Sequence, residues 1–174
     1  MNVDREVANF VRAHREPLIR YGLRRLDSNE EVEELVAETF ATAWRKWDDR
    51  PSKGEQQLYW LYAIARLVLS NQWRSRDRRV RLLERLRLQR GVEESGTQAT
   101  LVENLAEAIE RLPDEDQEAI ELAYWEHLSY REIGQVMGCS DNAVELRLRR
   151  AKRTLRAAIA DINLQTSREE VTGR

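Results

Sequence analysis

Five basic side chains, Arg147, Arg149, Arg150, Lys152 and Arg153, fall within one short stretch, and no acidic residue stands between Arg147 and Arg156. Guanidinium groups make paired hydrogen bonds to phosphate oxygens and to the O6 and N7 of guanine, so this density suits nucleic-acid binding. Acid–base or thiol chemistry has little to work with. The chain holds two histidines and one cysteine, Cys139, and no Ser, His and Asp group stands out as a nucleophilic site. It has no Gly-rich phosphate loop and no metal-ligand cluster, so we expect no cofactor, no metal, no small-molecule substrate and no enzymatic activity. His14 falls on an apolar helix face and reads as a packing histidine. The acidic run Glu30, Glu33, Glu34 and Glu38 could hold a metal only with a Glu-x-x-His pair, which is absent.

The basic stretch belongs to a pair of helices, Ser129 to Ala158. Ser129 and Glu132 have capping-box spacing, which starts a helix at Tyr130. Tyr130, Ile133 and Met137 share one face of it. Gly138 can take the left-handed conformation that stops that helix, Cys139 fills the turn, and Ser140 caps the next. In the second helix Val144, Leu148, Ala151, Leu155 and Ala158 form one apolar stripe. Asn142, Leu146, Arg149 and Arg153 lie opposite, flanked by Arg150 and Lys152. A narrow apolar seam, polar groups near the N-terminus for bases and cations for phosphates suit a helix that enters a major groove. A basic run is often only a solvated face; the cap, glycine turn and second cap at helix-turn-helix spacing favour the groove reading.

Upstream, Val7, Phe10, Val11, Leu18 and Tyr21 recur at helical intervals, with Pro17 expected to break or kink the run near Glu16. Ser28 and Glu31 make a second capping box. It opens a helix with Val32, Leu35, Val36, Phe40, Ala43, Trp44 and Trp47 on one side and glutamates on the other. RPSKGEQQ, from Arg50, reads as a loop. A long helical pattern then runs from Leu58 to about Arg90, punctuated by Tyr59, Trp60, Tyr62 and Trp73 and ending in an arginine run. Aromatics beside cations suit single-stranded nucleic acid, where bases stack and phosphates pair; burial of Trp60 and Tyr62 in a core is the plainer reading of those two rings. GVEESGTQAT, from Gly91, has almost nothing to bury and reads as a linker. Leu101 to Leu112 forms a helix closed by Pro113, and Asp114 is expected to cap the next, with Ile120, Ala123 and Tyr124 on its inner side.

The formal charge of the 174-residue chain is −2, which hides a strong division. Residues 61–90 carry a net charge of +7, residues 91–126 one of −10 and residues 127–174 one of +3. Two candidate phosphate-facing blocks are therefore separated by an acidic one. No run approaches the roughly 18 apolar residues of a membrane span, and MNVDREVANF lacks a signal peptide's apolar core. With one cysteine an internal disulfide is impossible, so a cytoplasmic location without membrane insertion is expected.

Three stretches of the chain resemble the extracytoplasmic-function (ECF) class of bacterial sigma factors, within the sigma-70 family. EVEELVAETFATAWRKW, Glu31 to Trp47, is similar to that family's acidic "AEDLVQETFLRAW" helix. WLYAIARLVLSNQWRSRDRR, Trp60 to Arg79, is similar to its "WLYRIARNLALDRLRRRRR" helix. RLPDEDQEAIELAYWEHLSYREIGQVMGCSDNAVELRLRRAKRTLR resembles its C-terminal helix-turn-helix domain. The three blocks stand in the family's order and cover most of the chain.

The resemblance implies an all-α fold of two small helical domains joined by a flexible linker. The expected bounds are 1–88 for the N-terminal sigma domain, 89–100 for an acidic linker, 101–160 for the C-terminal domain and 161–174 for a disordered tail. It implies a promoter-recognition subunit whose partners are core RNA polymerase, through its β and β′ subunits, and promoter DNA. Members are commonly held by an anti-sigma factor, which is a further candidate partner. Glu33, Glu34, Leu35, Glu38, Thr39 and Trp44 would dock on polymerase. Trp60, Arg66, Trp73, Arg74, Arg76, Arg78 and Arg79 would serve the −10 element and its melting. Ser140, Asn142, Ala143, Glu145, Leu146, Arg147, Arg149, Arg150 and Arg153 would serve the −35 element. The chain departs from the family pattern at Leu67 (usually Asn), Ser70 (often Asp), Gly134 (usually Ala), and Glu145 and Leu146 (commonly Lys and Ser). A stand-alone helix-turn-helix regulator of the response-regulator output type is the alternative, but it would normally bring a receiver domain or a dimerisation helix.

Overall fold

The computed structural model describes residues 3–87, 108–109 and 111–172, with side chains described for 5–71, 108–109 and 111–160. The described residues are helical with short connections, and the chain divides into two compact units, Met1–Val92 and Glu93–Arg174. The expected linker, 89–100, lies outside the described residues, as does most of the helix expected from Leu101; Ala108 and Ile109 are helical.

The first unit packs three helices, α1 (Val3–Leu23), α2 (Asn29–Arg45) and α3 (Gly54–Arg87), with a short 3-10 turn at Trp47–Asp49. Ser28 opens α2 as expected, its hydroxyl accepting from the Glu31 N–H at 3.2 Å. The apolar stripes meet in one core: Phe10, Leu18 and Tyr21 from α1; Val32, Leu35, Val36 and Ala43 from α2; Leu61, Tyr62, Ile64, Ala65 and Leu69 from α3. Each fully buried leucine contributes about 1.5–3 kcal/mol relative to an exposed one. Tyr21 and Tyr62 stack with centroids 5.0 Å apart, so Tyr62 is a core ring. His14 packs edge-on to Phe10 and sets Nε2 3.2 Å from Gln57 Oε1, a bridge from α1 to the start of α3. The Gln57 amide in turn donates to the Pro51 carbonyl at 2.8 Å, fixing the loop before α3.

Helix α1 runs through Pro17 without the expected break. A proline costs one backbone hydrogen bond, and the core contacts of Leu18 and Tyr21 immediately after it hold the helix in place.

The second unit contains α4 (Asp114–Tyr124), α5 (Tyr130–Met137) and α6 (Asp141–Thr172). Ala119, Ile120, Leu122, Ile133, Val136, Val144, Leu148 and Ala151 fill its core. Three local expectations change. Pro113 is the N-cap of α4, with no side-chain cap bond, and Asp114 is the first helical residue. Tyr124 is largely exposed rather than inward. The backbone of α6 continues to Thr172, where a disordered tail was expected from residue 161; no glycine or proline interrupts it before Gly173.

Candidate nucleic-acid interface

The turn between α5 and α6 is built from local chemistry. The Ser129 hydroxyl accepts from the Glu132 N–H at 3.4 Å, and the Glu132 carboxylate accepts from the Ser129 N–H at 2.7 Å. Both halves of the capping box are therefore made. Gly138 ends α5 at φ 66° and ψ 39°, a left-handed conformation that costs a side-chain-bearing residue about 1–2 kcal/mol. The Ser140 hydroxyl accepts from the Ala143 N–H at 3.3 Å and starts α6. Gly134 is a site of close approach: a Cβ there would lie 2.7 Å from the Cys139 carbonyl oxygen. Glycine, where the family usually has alanine, lets the turn fold down onto α5.

The stripe Val144, Leu148 and Ala151 is buried, and Leu155 and Ala158 are half-buried. This fixes the rotation of α6 and leaves Asn142, Glu145, Leu146, Arg149 and Arg153 exposed on the outer side. Leu146 is 56% exposed, a large apolar side chain offered to solvent beside three polar ones. The Arg149 guanidinium donates from Nη2 to Glu145 Oε1 at 2.7 Å across one turn. Arg153 makes no ion pair among the described residues.

Two arginines expected to face DNA are engaged inside the unit instead. Arg147 donates from Nε and Nη2 to Glu115 Oε2 at 3.0 and 2.5 Å, and from Nη1 to Cys139 Sγ at 3.1 Å. Arg150 donates from Nε and Nη2 to the two oxygens of Asp116 at 3.0 and 2.7 Å. Hydrogen bonding to Glu115 and to Asp116 holds the protons of Arg147 and Arg150 more firmly than in free arginine. The Nε–Nη2 edge of each guanidinium is thereby taken up within the unit. These two residues therefore position α6 against the first turn of α4. Ser140 and Ala143 contribute to the cap of α6, Ser140 through its hydroxyl and Ala143 through its backbone N–H.

In the first unit the α2 glutamates Glu33, Glu34 and Glu38 are exposed, and Trp44 is 52% exposed beside Trp47. Glu38 accepts from Arg45 at 2.9 Å. Leu35 and Thr39, expected to dock on polymerase, are fully buried; they lie on the core side of the same helix. The Thr39 hydroxyl has no hydrogen-bond partner among the described residues. A groove of about 550 Å³ lies between α2 and α3, lined by Glu34, Glu38 and Lys46 on one side and Ile64, Leu67 and Val68 on the other. Leu67, where the family usually has asparagine, is 54% exposed there. Trp60 and Arg66 are half-buried on α3. Trp73, Arg74, Arg76, Arg78 and Arg79 follow on the α3 backbone, and their side chains lie outside the described residues. A second groove, about 410 Å³, is formed in the second unit by Ile120, Tyr124, Trp125, Lys152, Leu155 and Ile159, among others.

Known proteins share this arrangement. Residues 10–79 match the family described as Sigma-70 region 2, and residues 103–155 match Sigma-70, region 4. The chain is 29% identical over 147 residues to the ECF RNA polymerase sigma factor BldN of Streptomyces coelicolor, covering 82% of this chain and 56% of BldN. It thus spans little more than half the length of that relative. It is 28% identical over 156 residues to the ECF RNA polymerase sigma factor SigL of Mycobacterium tuberculosis, covering 87% of both chains. Among solved structures, CnrH in complex with the cytosolic domain of CnrY superposes with a TM-score of 0.59 at 26% identity, over 91% of this chain and 90% of that one. The sigma factor RpoE of Bartonella quintana, in complex with the anti-sigma factor NepR, gives 0.58 at 23% identity, over 91% and 96%. With both regions present in order, on the helices that carry the basic and acidic surfaces, the chain belongs to the sigma-70 family and to its ECF type.

Proposed function

We propose that this chain is a sigma subunit that binds core RNA polymerase, directs it to promoters with separate upstream and downstream elements, and aids their melting. The observation that carries this reading is the presence, in one chain, of two differently equipped units. One has an exposed acidic face and an exposed tryptophan on α2; the other has a capped helix-turn-helix whose outer face is free of core contacts. A stand-alone regulator would need only the second.

In this reading Glu33, Glu34, Glu38 and Trp44 contact the polymerase clamp. The α3 segment from Trp60 to Arg79 serves the −10 element, and the outer face of α6 serves the −35 element. The apolar groove beside Tyr124 suits a contact with the polymerase β flap. Sigma performs no bond chemistry itself, and it works in the cytoplasm with polymerase. Members of the family are commonly held by an anti-sigma factor, and the complex of CnrH with the cytosolic domain of CnrY supports a protein partner for this chain as well.

The test is association. The purified chain mixed with core polymerase elutes as a stable complex in gel filtration, and affinity capture of the chain from its native cell retrieves polymerase subunits. Failure of both removes the reading.

A further inference from the structure

The outer face of α6 carries a combination that phosphate binding does not require. Leu146 is more than half exposed, yet it sits between polar neighbours. Arg149, 71% exposed, is held by the Glu145 carboxylate one turn earlier. Arg147 and Arg150 are tied to Glu115 and Asp116, which holds both against the first turn of α4, whereas the carboxylate that restrains Arg149 lies on α6 itself. A carboxylate facing phosphates is repulsive unless a cation neutralises it, and Arg149 supplies that cation. A guanidinium restrained in this way keeps a free edge for the O6 and N7 of guanine. An exposed leucine at groove depth has one apolar partner available on a base edge, the C5 methyl of thymine.

We infer that Leu146 and Arg149 form a two-residue reading head. Arg149, positioned by Glu145, selects a guanine, and Leu146 selects a thymine methyl on a neighbouring base pair. The spacing follows from the helix. Residues three apart rise about 4.5 Å along the axis, close to the roughly 3.4 Å step between base pairs. The thymine therefore lies next to the guanine, on either strand. This inference rests on the reading of α6 as the upstream-element reader and adds which bases it prefers.

The experiment uses holoenzyme made from the full chain and core polymerase. It selects from duplex promoter fragments randomised over the upstream element, and each thymine of the selected site is then replaced in turn by deoxyuridine, which lacks only the methyl group. The expected result is one thymine, adjacent to a selected guanine, whose replacement weakens binding about fourfold, the worth of one buried methyl. Holoenzyme carrying Leu146→Ser, a change at an exposed position that leaves the core intact, should bind the thymine and deoxyuridine duplexes equally. Arg149→Ala should lose the guanine preference. The inference is overturned if wild-type holoenzyme selects a site but tolerates every deoxyuridine, or if Leu146→Ser still discriminates. Selection of no upstream sequence at all would remove both this inference and the promoter reading beneath it.

Discussion

Arg150, half-exposed on α6, places Nε and Nη2 against both carboxylate oxygens of Asp116, whose side chain is only 3% exposed in the first turn of α4. The pair joins residues 34 apart in the sequence and turns an arginine that looks like a DNA contact into a strut. Asp116→Ala would leave Arg150 without its partner and loosen α4 from α6. Arg150→Ala would strand a buried carboxylate. Both variants should lower the thermal midpoint of the second unit while leaving the base preference of the upstream site unchanged. A changed preference with an unchanged midpoint would return Arg150 to the DNA face.

Gly134 has no room for a methyl group, because the neighbouring atom at 2.7 Å is the backbone carbonyl of Cys139. Gly134→Ala restores the residue usual in the family and should nonetheless destabilise this chain, by about 1–3 kcal/mol for an overpacked contact. Denaturant unfolding measures it. A stability gain would mean that the turn relaxes freely and that the close approach is not required.

Thr39 buries a hydroxyl that finds no partner among the described residues. Thr39→Val keeps the shape and removes the desolvated group, and should stabilise the first unit by about 1 kcal/mol. Affinity for core polymerase should not change, since the side chain faces the core. Weaker polymerase binding by a well-folded Thr39→Val protein would show that Thr39 does reach the partner.

Glu33 and Glu34 are exposed and make no ion pair among the described residues. Reversing both, with Glu33→Lys and Glu34→Lys, should leave the helical circular dichroism unchanged and weaken core binding at least tenfold, about 1.4 kcal/mol. Equal affinity would move the docking surface off this face.

What could be read in the sequence was what is decided locally. Ser129 with Glu132, Gly138 and Ser140 act on backbone groups within a few residues of themselves, so their types and spacing specify the turn completely. The apolar stripe of α6 fixes which side faces inward by the same logic. The fates of Arg147 and Arg150 are set by carboxylates 32 and 34 residues away, a relation that no short window contains. Asp116 reads locally as a favourable charge at a helix start; its burial follows only from the packing of α4 against α6. Thr39 looked accessible because a polar type on an acidic helix suggests solvent, whereas its position one turn after Leu35 puts it inside. Leu146 was visible as a departure from the family pattern, but its degree of exposure needed the rotation of α6.

The most direct test of the central claim is transcription from a genomic fragment library by core polymerase with and without this chain. Promoter-specific transcripts that appear only when the chain is added, and that share two spaced upstream elements, are the predicted result. Transcripts identical with and without it would contradict the assignment of this chain as a promoter-directing subunit.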